Sequence, residues 1–520
     1  MGMIWVGAAQ VSYVNEIVEL VKVFYPEQQA AAIPNRNAEF GEGHVHTGLS
    51  EDDILLEAGY TAEKSGCIEF AASLYRNGSL LCRHSNILFP GKTGNQHDHN
   101  PAYHTNHKKS NRIIKNGLKG CVFDLLSKYT GKHPKWGALT GIRPVKLVHE
   151  MLDRGLNEAM VKKQLHEIYK LHPEKSDLLI RTARVQQPLL DNRKNEEVSI
   201  YIHIPFCSTR CSYCSFPSDL IGRAAEKMEA YLECLKQELT AVVDALENKG
   251  KKADTVYIGG GTPTVLSHFH LETLLLLVKQ QLLDRFSIRE YTVEAGRPDS
   301  LDMLKLESMK EHGVTRLSIN PQSMNQQTLD LIGRNHTVED IIRVCHQARE
   351  IEFDCINMDV ILGLPGETPQ HMEHTMKEIA ALNPENITVH TLAVKRASAW
   401  KESFNQYDPA REGLAEEMAD KCRKWIDKLG MVPYYLYRQK YMLDHLENIG
   451  YALPGKECLY NIQFMDERRD IWAVGAGASS KIYYPRENRL ERIANVKNLD
   501  AYLSRIGEMI EKKQKVFQSS

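Results

Sequence analysis

Strands alternate with helices along the chain from Val198, and this alternation most restricts what the chain can fold into. Each predicted strand is a short apolar or alternating run, and a helical segment such as Ala225 to Leu246 separates it from the next. Repeated strand–helix units predict a parallel sheet with its functional site at the carboxyl ends of the strands. The spacing alone does not separate an open sheet from a partial or closed barrel. The six predicted strands are 198–205, 255–260, 290–296, 314–320, 356–363 and 386–394.

Alternation within the strands places polar side chains on one face of the predicted sheet. Successive side chains of a strand point to opposite faces, so Glu294 shares a face with Thr292, and Asp359 shares one with Asn357. A parallel sheet packed between helices is usually apolar on both faces. The polar set therefore predicts a cavity for a polar ligand, with hydrogen bonding among these groups as the alternative. Its other members are Tyr201, His203, Gly296, Arg316, Ser318, Asn320 and Gln322.

Three cysteines directly follow the first predicted strand, at Cys207, Cys211 and Cys214. Thiolates are the usual ligands of iron–sulfur clusters. A cubane [4Fe–4S] cluster bound through a C-x3-C-x2-C run keeps one iron without a protein ligand, and that iron is open to a reacting molecule. A structural zinc site needs a fourth ligand, and a redox pair would use only Cys211 and Cys214. Neither alternative accounts for Cys207.

A glycine-rich turn, Gly259-Gly-Gly-Thr-Pro-Thr264, ends the second predicted strand. Glycines expose backbone N–H and C=O groups, so a ligand can approach the chain closely there. No Gly-Lys-Ser/Thr follows, which argues against a phosphate-binding P-loop. The turn is a weak signal by itself, but it lies one strand–helix unit after the cysteines, and that combination is specific.

Composition restricts the partners and the location. The 520 residues carry a formal net charge of −2, which gives no electrostatic case for binding nucleic acid or an anionic membrane. No signal peptide is recognisable, and the most apolar helical run, Leu271 to Leu283, is too short to span a bilayer. The 11 cysteines are odd in number and scattered apart from the triplet, which predicts a reducing cytoplasm.

The chain is predicted to divide into an accessory region 1–195, a core 196–400 and a C-terminal region 401–520. The polar run from Asp191 to Glu197 marks the first boundary. Beyond residue 395 the strand pattern is lost, and the run from Glu412 to Leu429 predicts an amphipathic helix. The runs Tyr434–Tyr437 and Ile471–Ser480 predict further strand or turn elements of a C-terminal region packed against the sheet.

Two features of the accessory region carry hypotheses of their own. A loop rich in Gly, Asn and Lys also holds four histidines, which indicate either a metal site or a solvated insertion. Arg143, within Trp136-Gly-Ala-Leu-Thr-Gly-Ile-Arg-Pro, predicts a turn before a helix, and its side chain is interpreted as a salt bridge, a cap or a carboxylate ligand. The four histidines are His97, His99, His104 and His107.

The cysteine run and the glycine turn together resemble radical S-adenosylmethionine (SAM) enzymes over residues 198 to about 395. Tyr201-Ile-His-Ile-Pro-Phe-Cys207 with Tyr213-Cys-Ser-Phe216 is similar to the oxygen-independent coproporphyrinogen III oxidase (coproporphyrinogen dehydrogenase) family. The segment around Arg143 resembles the HemZ-like branch of that family. The resemblance implies an α/β fold: a radical SAM partial (β/α)6 barrel with an N-terminal α+β accessory domain and a C-terminal HemN-like region.

The resemblance also implies a chemistry. Cys207, Cys211 and Cys214 would hold a [4Fe–4S] cluster whose free iron chelates SAM. One electron, from a reductant such as a flavodoxin or ferredoxin, would release a 5′-deoxyadenosyl radical that takes a hydrogen from the β-carbon of a substrate propionate. Loss of CO2 and of one electron would leave a vinyl group. Two such events would convert coproporphyrinogen III into protoporphyrinogen IX in haem biosynthesis.

The family's SAM-contact positions carry over to this sequence one residue at a time. Tyr201 and Tyr213 would lie near the cofactor and against its adenine, and Glu294 would bind a ribose hydroxyl. Gly260, Gly261 and Thr262 would meet the methionine moiety. The remaining SAM-contact positions are Gln322, Arg334, Asp359 and Ala393. The resemblance assigns no residue to the catalytic step itself.

The sequence departs from the founding enzymes at Phe216, where they carry a further cysteine. Arg297, Lys395 and Arg396 are interpreted either as cations for the substrate carboxylates or as surface charge. The alternatives are a HemW-like haem chaperone and another radical SAM tetrapyrrole enzyme, such as a methyltransferase or a haem-degrading relative. Haem chaperones carry a His-Asn-x-x-Tyr-Trp motif, and the corresponding stretch from Tyr460 lacks its histidine, tyrosine and tryptophan.

Overall fold

The computed structural model describes residues 2–8, 11–26, 28–33, 50–62, 67–88, 107–191, 196–214, 218–393, 413–440 and 442–519. The chain separates into two compact units, Met1–Ile180 and Arg181–Ser520. The predicted three-part division stays a prediction. No helix in the described ranges is long and apolar enough to cross a membrane.

The first unit is built on a five-stranded mixed sheet in the order β2-β1-β3-β4-β5. Helices α1 and α2 pack on it and bury apolar residues such as Ile17, Phe24 and Leu125, which form the core of this unit. The strands are β1 (Ile4–Ala8), β2 (Ala30–Ala32), β3 (Ile54–Ala62), β4 (Ile68–Arg76) and β5 (Ser79–Leu88). The helices are α1 (Val11–Phe24), α2 (His107–Thr130), α3 (Pro144–Leu152) and α4 (Glu158–Tyr169), and a fifth helix, α5 (Pro173–Asp191), begins in this unit and ends in the second.

The turn predicted around Arg143 is confirmed. Arg143 is the residue before the first turn of α3, and Pro144 opens that helix, where its missing N–H costs no hydrogen bond. Lys119 donates to the hydroxyl of Thr140 at 2.7 Å, which fixes the preceding segment.

The second unit contains the predicted strand–helix units. Its first strands are β6 (Glu197–Ile204), β7 (Phe206–Cys207), β8 (Asp219–Leu220), β9 (Lys252–Gly260), β10 (Glu290–Glu294), β11 (Arg316–Ser318), β12 (Cys355–Leu362) and β13 (Asn386–Thr391). Its first helices are α6 (Ile221–Ala224), α7 (Met228–Asn248), α8 (His268–Val278), α9 (Met303–Glu311), α10 (Gln326–Leu331), α11 (Val338–Glu350), α12 (Pro369–Ala381) and α13 (Leu414–Lys428). All six predicted strands are present, with ends shifted by at most three residues.

Strand order decides between the sheet types that spacing left open. The parallel strands β6, β9, β10, β11, β12 and β13 are neighbours in chain order, with no reversal. A doubly wound open sheet reverses its order at a switch point, whereas sequential order is that of a barrel. Strands β6 and β13 do not pair with each other, so the arrangement is the predicted partial (β/α)6 barrel.

The predicted loss of the strand pattern after residue 395 is wrong, whereas the strand or turn elements predicted at 434–437 and 471–480 are confirmed. Five further strands extend the same sheet: β14 (Val432–Tyr437), β15 (Asn448–Ala452), β16 (Ile471–Val474), β17 (Ser479–Tyr484) and β18 (Arg489–Ala494). Antiparallel β15 pairs with β13, and parallel β16 pairs with β6. These strands are four to six residues long, too short for a clear period in the sequence. Three helices complete the unit: α14 (Leu459–Asp466), α15 (Leu499–Ser504) and α16 (Ile506–Ser519).

A buried ion pair between Lys513 and Glu238 attaches the C-terminal helix α16 to helix α7 of the barrel. Lys513 and Glu238 of α7 are both almost fully buried, with 2.5 Å between Nζ and Oε1. Glu238 also accepts from the N–H of Gly475, which follows β16, at 2.8 Å. Phe517 stacks on Trp472 of β16 with 3.7 Å between ring centroids. These contacts hold β16 against β6, the strand that leads to the cysteines.

Candidate cluster and cofactor site

The three cysteines lie in the loop that leaves β6, at the carboxyl ends of the parallel strands. Cys207 ends the short strand β7, and the N–H of Cys214 donates to the carbonyl of Cys211 at 3.0 Å, which closes a tight turn. All three thiols are half-buried, so they are held by the fold while a ligand can still reach them. In the described ranges, no three His, Cys, Asp or Glu side chains converge on a single metal ion. Thiols that bind different irons of one cluster need not converge in that way.

Arg297 binds the cysteine loop from inside the protein. Its guanidinium donates to the hydroxyls of Ser208 and Thr209 at 2.7 and 2.5 Å and to Sγ of Cys211 at 3.1 Å. Only 3% of its surface is exposed. The interpretation of Arg297 as surface charge is therefore wrong, because the residue lies in the turn after β10 and its guanidinium points into the cysteine loop and not into solvent.

Arg334 is a second buried cation beside the loop. It donates to the carbonyls of Gly296 and Asn320 at 2.9 and 2.7 Å and to the hydroxyl of Tyr213 at 3.0 Å. Burial by itself would raise the pKa of the Cys211 thiol, but Arg334 and Arg297 outweigh it and hold that pKa below its usual value. The loop therefore favours a thiolate, the form that binds iron.

The glycine turn is hydrogen-bonded to the same loop. The N–H of Gly261 donates to the carbonyl of Ile204 at 2.8 Å, and the N–H of Thr262 donates to that of Phe206 at 2.7 Å. The Thr262 hydroxyl lies 3.8 Å from Sγ of Cys207. The N–H groups of Gly261 and Thr262 are therefore already used, and contact with a ligand at these residues would involve other atoms.

Two of these glycines cannot be replaced without a clash. Gly260 has a φ of +111°, and a Cβ there would lie 2.3 Å from the His203 ring. A Cβ on Gly261 would lie 2.3 Å from the carbonyl oxygen of Phe206. The absence of side chains thus brings β9 close enough to β6 to hold the cysteine loop.

Glu294, at the carboxyl end of β10, faces the barrel interior. Its carboxylate accepts from the Tyr257 hydroxyl at 2.7 Å and from the N–H of Gly260 at 3.2 Å. Burial raises its pKa to about 7, against a partial lowering by the Tyr257 hydrogen bond. Tyr257 donates to Oε1 and Gly260 donates to Oε2, so each carboxylate oxygen keeps a further lone pair for a hydroxyl-bearing ligand.

The predicted polar face exists, and its members also pair with one another. Asn357 donates to Ser318 at 2.7 Å and to Asp359 at 2.8 Å. His390, which the sequence analysis did not single out, lies 3.4 Å from the Asp359 carboxylate. Burial would raise the pKa of Asp359, but His390 and Asn357 hold it below its usual value. Hydrogen bonding among the polar groups, the alternative to a ligand cavity, therefore accounts for Ser318, Asn357 and Asp359. Other predicted positions in the described part of the chain keep polar atoms without a hydrogen bond.

Gln322 and Arg334 supply buried polar atoms without a partner. In the part of the chain that the structure describes, Oε1 of Gln322 and Nε of Arg334 have no hydrogen bond. Gln322 also has a φ of 68°, which a non-glycine residue rarely adopts, and its N–H donates to the carbonyl of Asp359. An orphaned acceptor and an orphaned donor near the cysteine loop fit a polar cofactor such as SAM, because each would otherwise cost desolvation energy.

Aromatic rings line the barrel beside Glu294. Tyr257 stacks on Tyr460 at 4.5 Å between centroids, and Tyr201 lies 6.0 Å from Tyr460. Tyr201, which the sequence analysis placed near the cofactor, is thus part of a tyrosine cluster whose Tyr257 hydroxyl holds Glu294. No sequence signal indicated the contribution of Tyr460, because it comes from α14, more than 200 residues away along the chain.

Several predicted residues give less information. Ala393 is half-buried and pairs with Met442 in an isolated bridge after β13. The other residues lie outside the described part of the chain, or have side chains outside it: Phe216, Lys395, Arg396, His97, His99, His104 and His107.

The partial barrel, the cysteine loop and the glycine turn define a radical SAM protein. Residues 201–379 match the Radical SAM superfamily model. The chain is 39% identical, over 79% of its length and 82% of the relative's, to the oxygen-independent coproporphyrinogen-III oxidase-like protein HemZ of Bacillus subtilis. The chain therefore belongs to the oxygen-independent coproporphyrinogen III oxidase-like family within that superfamily.

Two further similarities extend the comparison. The haem chaperone HemW of Bacillus subtilis is 32% identical over 55% of this chain and 71% of its own. A solved structure of coproporphyrinogen III oxidase (HemN) from Escherichia coli, described as a radical SAM enzyme, aligns at 23% identity and a TM-score of 0.48 over 63% of this chain and 73% of its own.

Radical SAM proteins use a [4Fe–4S] cluster and SAM, which are therefore the cofactors of this chain. The observed groups fit them: three accessible thiols beside two buried cations, a glycine cradle and orphaned polar atoms. The assignment of single residues to each cofactor stays a prediction.

Proposed function

We propose that this chain converts propionate side chains of coproporphyrinogen III into vinyl groups, giving protoporphyrinogen IX. Cys207, Cys211 and Cys214 bind the cluster in this proposal. The observation that carries it is the cysteine loop, hydrogen-bonded to the glycine turn at the mouth of the barrel, in a chain 39% identical to an oxidase-like relative. Such a reaction requires a low-potential one-electron donor protein to start it, and a one-electron acceptor to take the electron that the substrate radical releases together with CO2.

The bound cofactors supply one-electron cleavage of a C–S bond and, from it, hydrogen abstraction at an unactivated carbon. The chain's own residues bind and orient. Glu294 would accept from a ribose hydroxyl through a lone pair that Tyr257 and Gly260 do not use. Gln322 Oε1 and Arg334 Nε, both buried without a partner in the described ranges, gain one from the bound cofactor. Tyr213, held by Arg334, lies against the adenine.

Aromatic side chains of the second unit also suit the pyrrole rings of the proposed substrate. Tyr201, Tyr257 and Tyr460 form one cluster of rings, and Tyr435 and Tyr437 stack with planes 9° apart. Aromatic faces bind flat ring systems and exclude water from a reactive carbon. Tyrosine hydroxyls add polar contacts at the edges, which suits a macrocycle that carries carboxylates.

Haem delivery is the second candidate, and it is supported by the 32% identity to a haem chaperone. The local structure favours it less. Tyr460 stands where the chaperone motif has its histidine, and its ring is 5% exposed and stacked on Tyr257. Asn461 is engaged by the Tyr434 hydroxyl at 3.3 Å. This stretch therefore offers no imidazole for a haem iron. Another radical SAM reaction on a tetrapyrrole is the third candidate.

A single anaerobic experiment separates these functions. The reconstituted chain is supplied with SAM, a reductant and coproporphyrinogen III, and the porphyrin products, CO2 and 5′-deoxyadenosine are measured. We expect protoporphyrinogen and CO2. Deoxyadenosine without any change in the porphyrin would contradict the oxidase, a different modified tetrapyrrole would favour the third candidate, and tight haem binding without turnover would favour the chaperone.

Two variants serve as controls in that assay. Cys207→Ala removes a proposed ligand and is expected to abolish both iron binding and turnover. Cys234→Ala removes a comparably half-buried thiol on α7 and is expected to change neither. Equal iron content in the two variants would contradict the ligand assignment.

A further inference from the structure

The side chain of Arg297 is directed at the cysteine loop and is shielded from solvent. The residue follows β10, and 97% of its surface is buried beneath the cysteine loop. Nη1 donates to the hydroxyls of Ser208 and Thr209, and Nη2 donates to Sγ of Cys211 and to the carbonyl of Gly333. A guanidinium committed to four groups of the protein has little left for a mobile substrate carboxylate.

The neighbouring charges do not neutralise Arg297. Its closest carboxylate is that of Asp299 at 4.0 Å, at the limit of an ion pair, while Cys211 Sγ is at 3.1 Å. Asp299 lies closer to the imidazole of His336, at 3.5 Å, and that histidine is fully buried. Since Coulomb energy falls with distance and rises in a dry interior, the sulfur is the anionic atom that Arg297 affects most.

A hydrogen bond from a cation to a cluster sulfur has a defined electrochemical effect. Reduction adds one negative charge to the cluster, and a nearby positive charge stabilises the reduced form more than the oxidised form. Hydrogen bonds to the sulfurs and the net local charge are among the factors that set cluster potentials. The loop hydroxyls bound by the same guanidinium fix its position, so the interaction does not depend on a flexible side chain.

We propose that Arg297 is a positioning residue of the cluster, which holds Cys211 through a charged hydrogen bond and raises the reduction potential of the [4Fe–4S] centre. The inference rests on the proposed ligation by Cys207, Cys211 and Cys214. It does not depend on which tetrapyrrole reaction the chain performs. Electrons come from the one-electron donor protein, and Arg297 determines how strong a donor is needed.

The test compares full-length chains reconstituted anaerobically. Arg297→Gln removes the positive charge, and Arg297→Lys keeps the charge but replaces the two-armed guanidinium with a single ammonium group. Arg316→Gln makes the same change at an arginine of similar burial, at the amino end of β11, whose guanidinium binds Asn386 and the carbonyl of Lys456 and pairs with the Glu290 carboxylate at 3.6 Å. Iron and sulfide content are measured first, and the midpoint potential is then measured by redox titration followed by electron paramagnetic resonance.

We expect Arg297→Gln to shift the midpoint potential to more negative values, Arg297→Lys to shift it less, and Arg316→Gln to leave it at the wild-type value. An unchanged potential in a fully loaded Arg297→Gln chain overturns the proposal, as does an equal shift in Arg316→Gln. If Arg297→Gln loses the cluster, retention by Arg297→Lys supports the role of the charge, and loss in both variants overturns it. A wild-type chain that binds no cluster contradicts the ligation itself.

Discussion

The folded structure raises the pKa of the Glu294 carboxyl group and so disfavours its ionised form. Its pKa of about 7 lies above the ordinary value of 4.5, because burial outweighs the hydrogen bonds from Tyr257 and Gly260. Between these two values the folded chain holds a proton that the unfolded chain has released. The free energy of unfolding therefore falls as pH rises through this interval, and Glu294 contributes no further change above about pH 7.

Replacing this carboxyl group is expected to flatten the pH dependence of stability. A rise in pKa from 4.5 to about 7 corresponds to roughly 3 kcal/mol of stability lost at the higher pH. Glu294→Gln keeps the shape without the titration, so its free energy of unfolding is expected to change less between about pH 5 and pH 8. Urea unfolding of the cluster-free, reduced chain at each pH measures this free energy of unfolding. Glu229→Gln, at an exposed position of α7, is the control, and a Glu294→Gln chain with wild-type pH dependence would contradict the prediction.

The turn after β9 is an element whose backbone geometry depends on the absence of side chains. Gly260→Ala is expected to destabilise the chain by on the order of 2–4 kcal/mol, because strain at positive φ adds to a clash with the His203 ring. Chemical denaturation measures the loss, and iron content after reconstitution is expected to fall with it.

Gly250→Ala is the matched control for that substitution. Gly250 also has a positive φ, of +66°, but no atom lies within 4 Å of a Cβ placed there. Its cost is expected to be about 1 kcal/mol, from backbone strain alone. An equal loss of stability in the two variants would show that the short distance between residue 260 and the His203 ring does not exclude a side chain there.

The attachment of α16 to α7 is an element-scale feature that depends on one buried ion pair. Glu238→Gln leaves Lys513 charged in a dry site, which is expected to cost about 3–5 kcal/mol of stability. The double variant Glu238→Gln with Lys513→Met is expected to be more stable than the single one, because no charge remains unpaired. Thermal and urea unfolding measure both.

The exposed pair of Arg505 and Glu508, in the same part of the chain, gives the comparison. Glu508→Gln is expected to cause no measurable loss, because water already solvates both groups. A loss from Glu508→Gln equal to that from Glu238→Gln would mean that burial does not determine the contribution of the pair.

At the scale of the whole molecule, the cluster site belongs entirely to the second compact unit. The cysteine loop, the glycine turn, Arg297 and the aromatic cluster all lie within Arg181–Ser520, which has its own core. A fragment that starts at Pro173, the beginning of α5, is therefore expected to fold and to bind a full complement of iron and sulfide. Circular dichroism and iron analysis check this. A fragment that aggregates, or that folds without binding iron, would show that residues 1–172 are required.

Sequence patterns predicted the parts of this protein that depend on local spacing. The six parallel strands follow from short apolar runs between helical segments, and the polar face follows from the alternation of side chains along a strand. The cysteine triplet indicated an iron–sulfur cluster, and the resemblance to radical SAM enzymes, carried by the triplet and the glycine turn, added SAM. The resemblance to the family added individual residues such as Glu294 and Gln322.

Only the tertiary structure decided what depends on contacts between distant segments. The sequential order of the strands, and so the partial barrel, arises from pairing that no local pattern encodes. The short strands β14 to β18 join the sheet because neighbouring edges supply their hydrogen bonds. Arg297 carries the same charge in solvent and beneath the cysteine loop, and the fold alone buries it against Cys211, where a low dielectric gives that charge its effect.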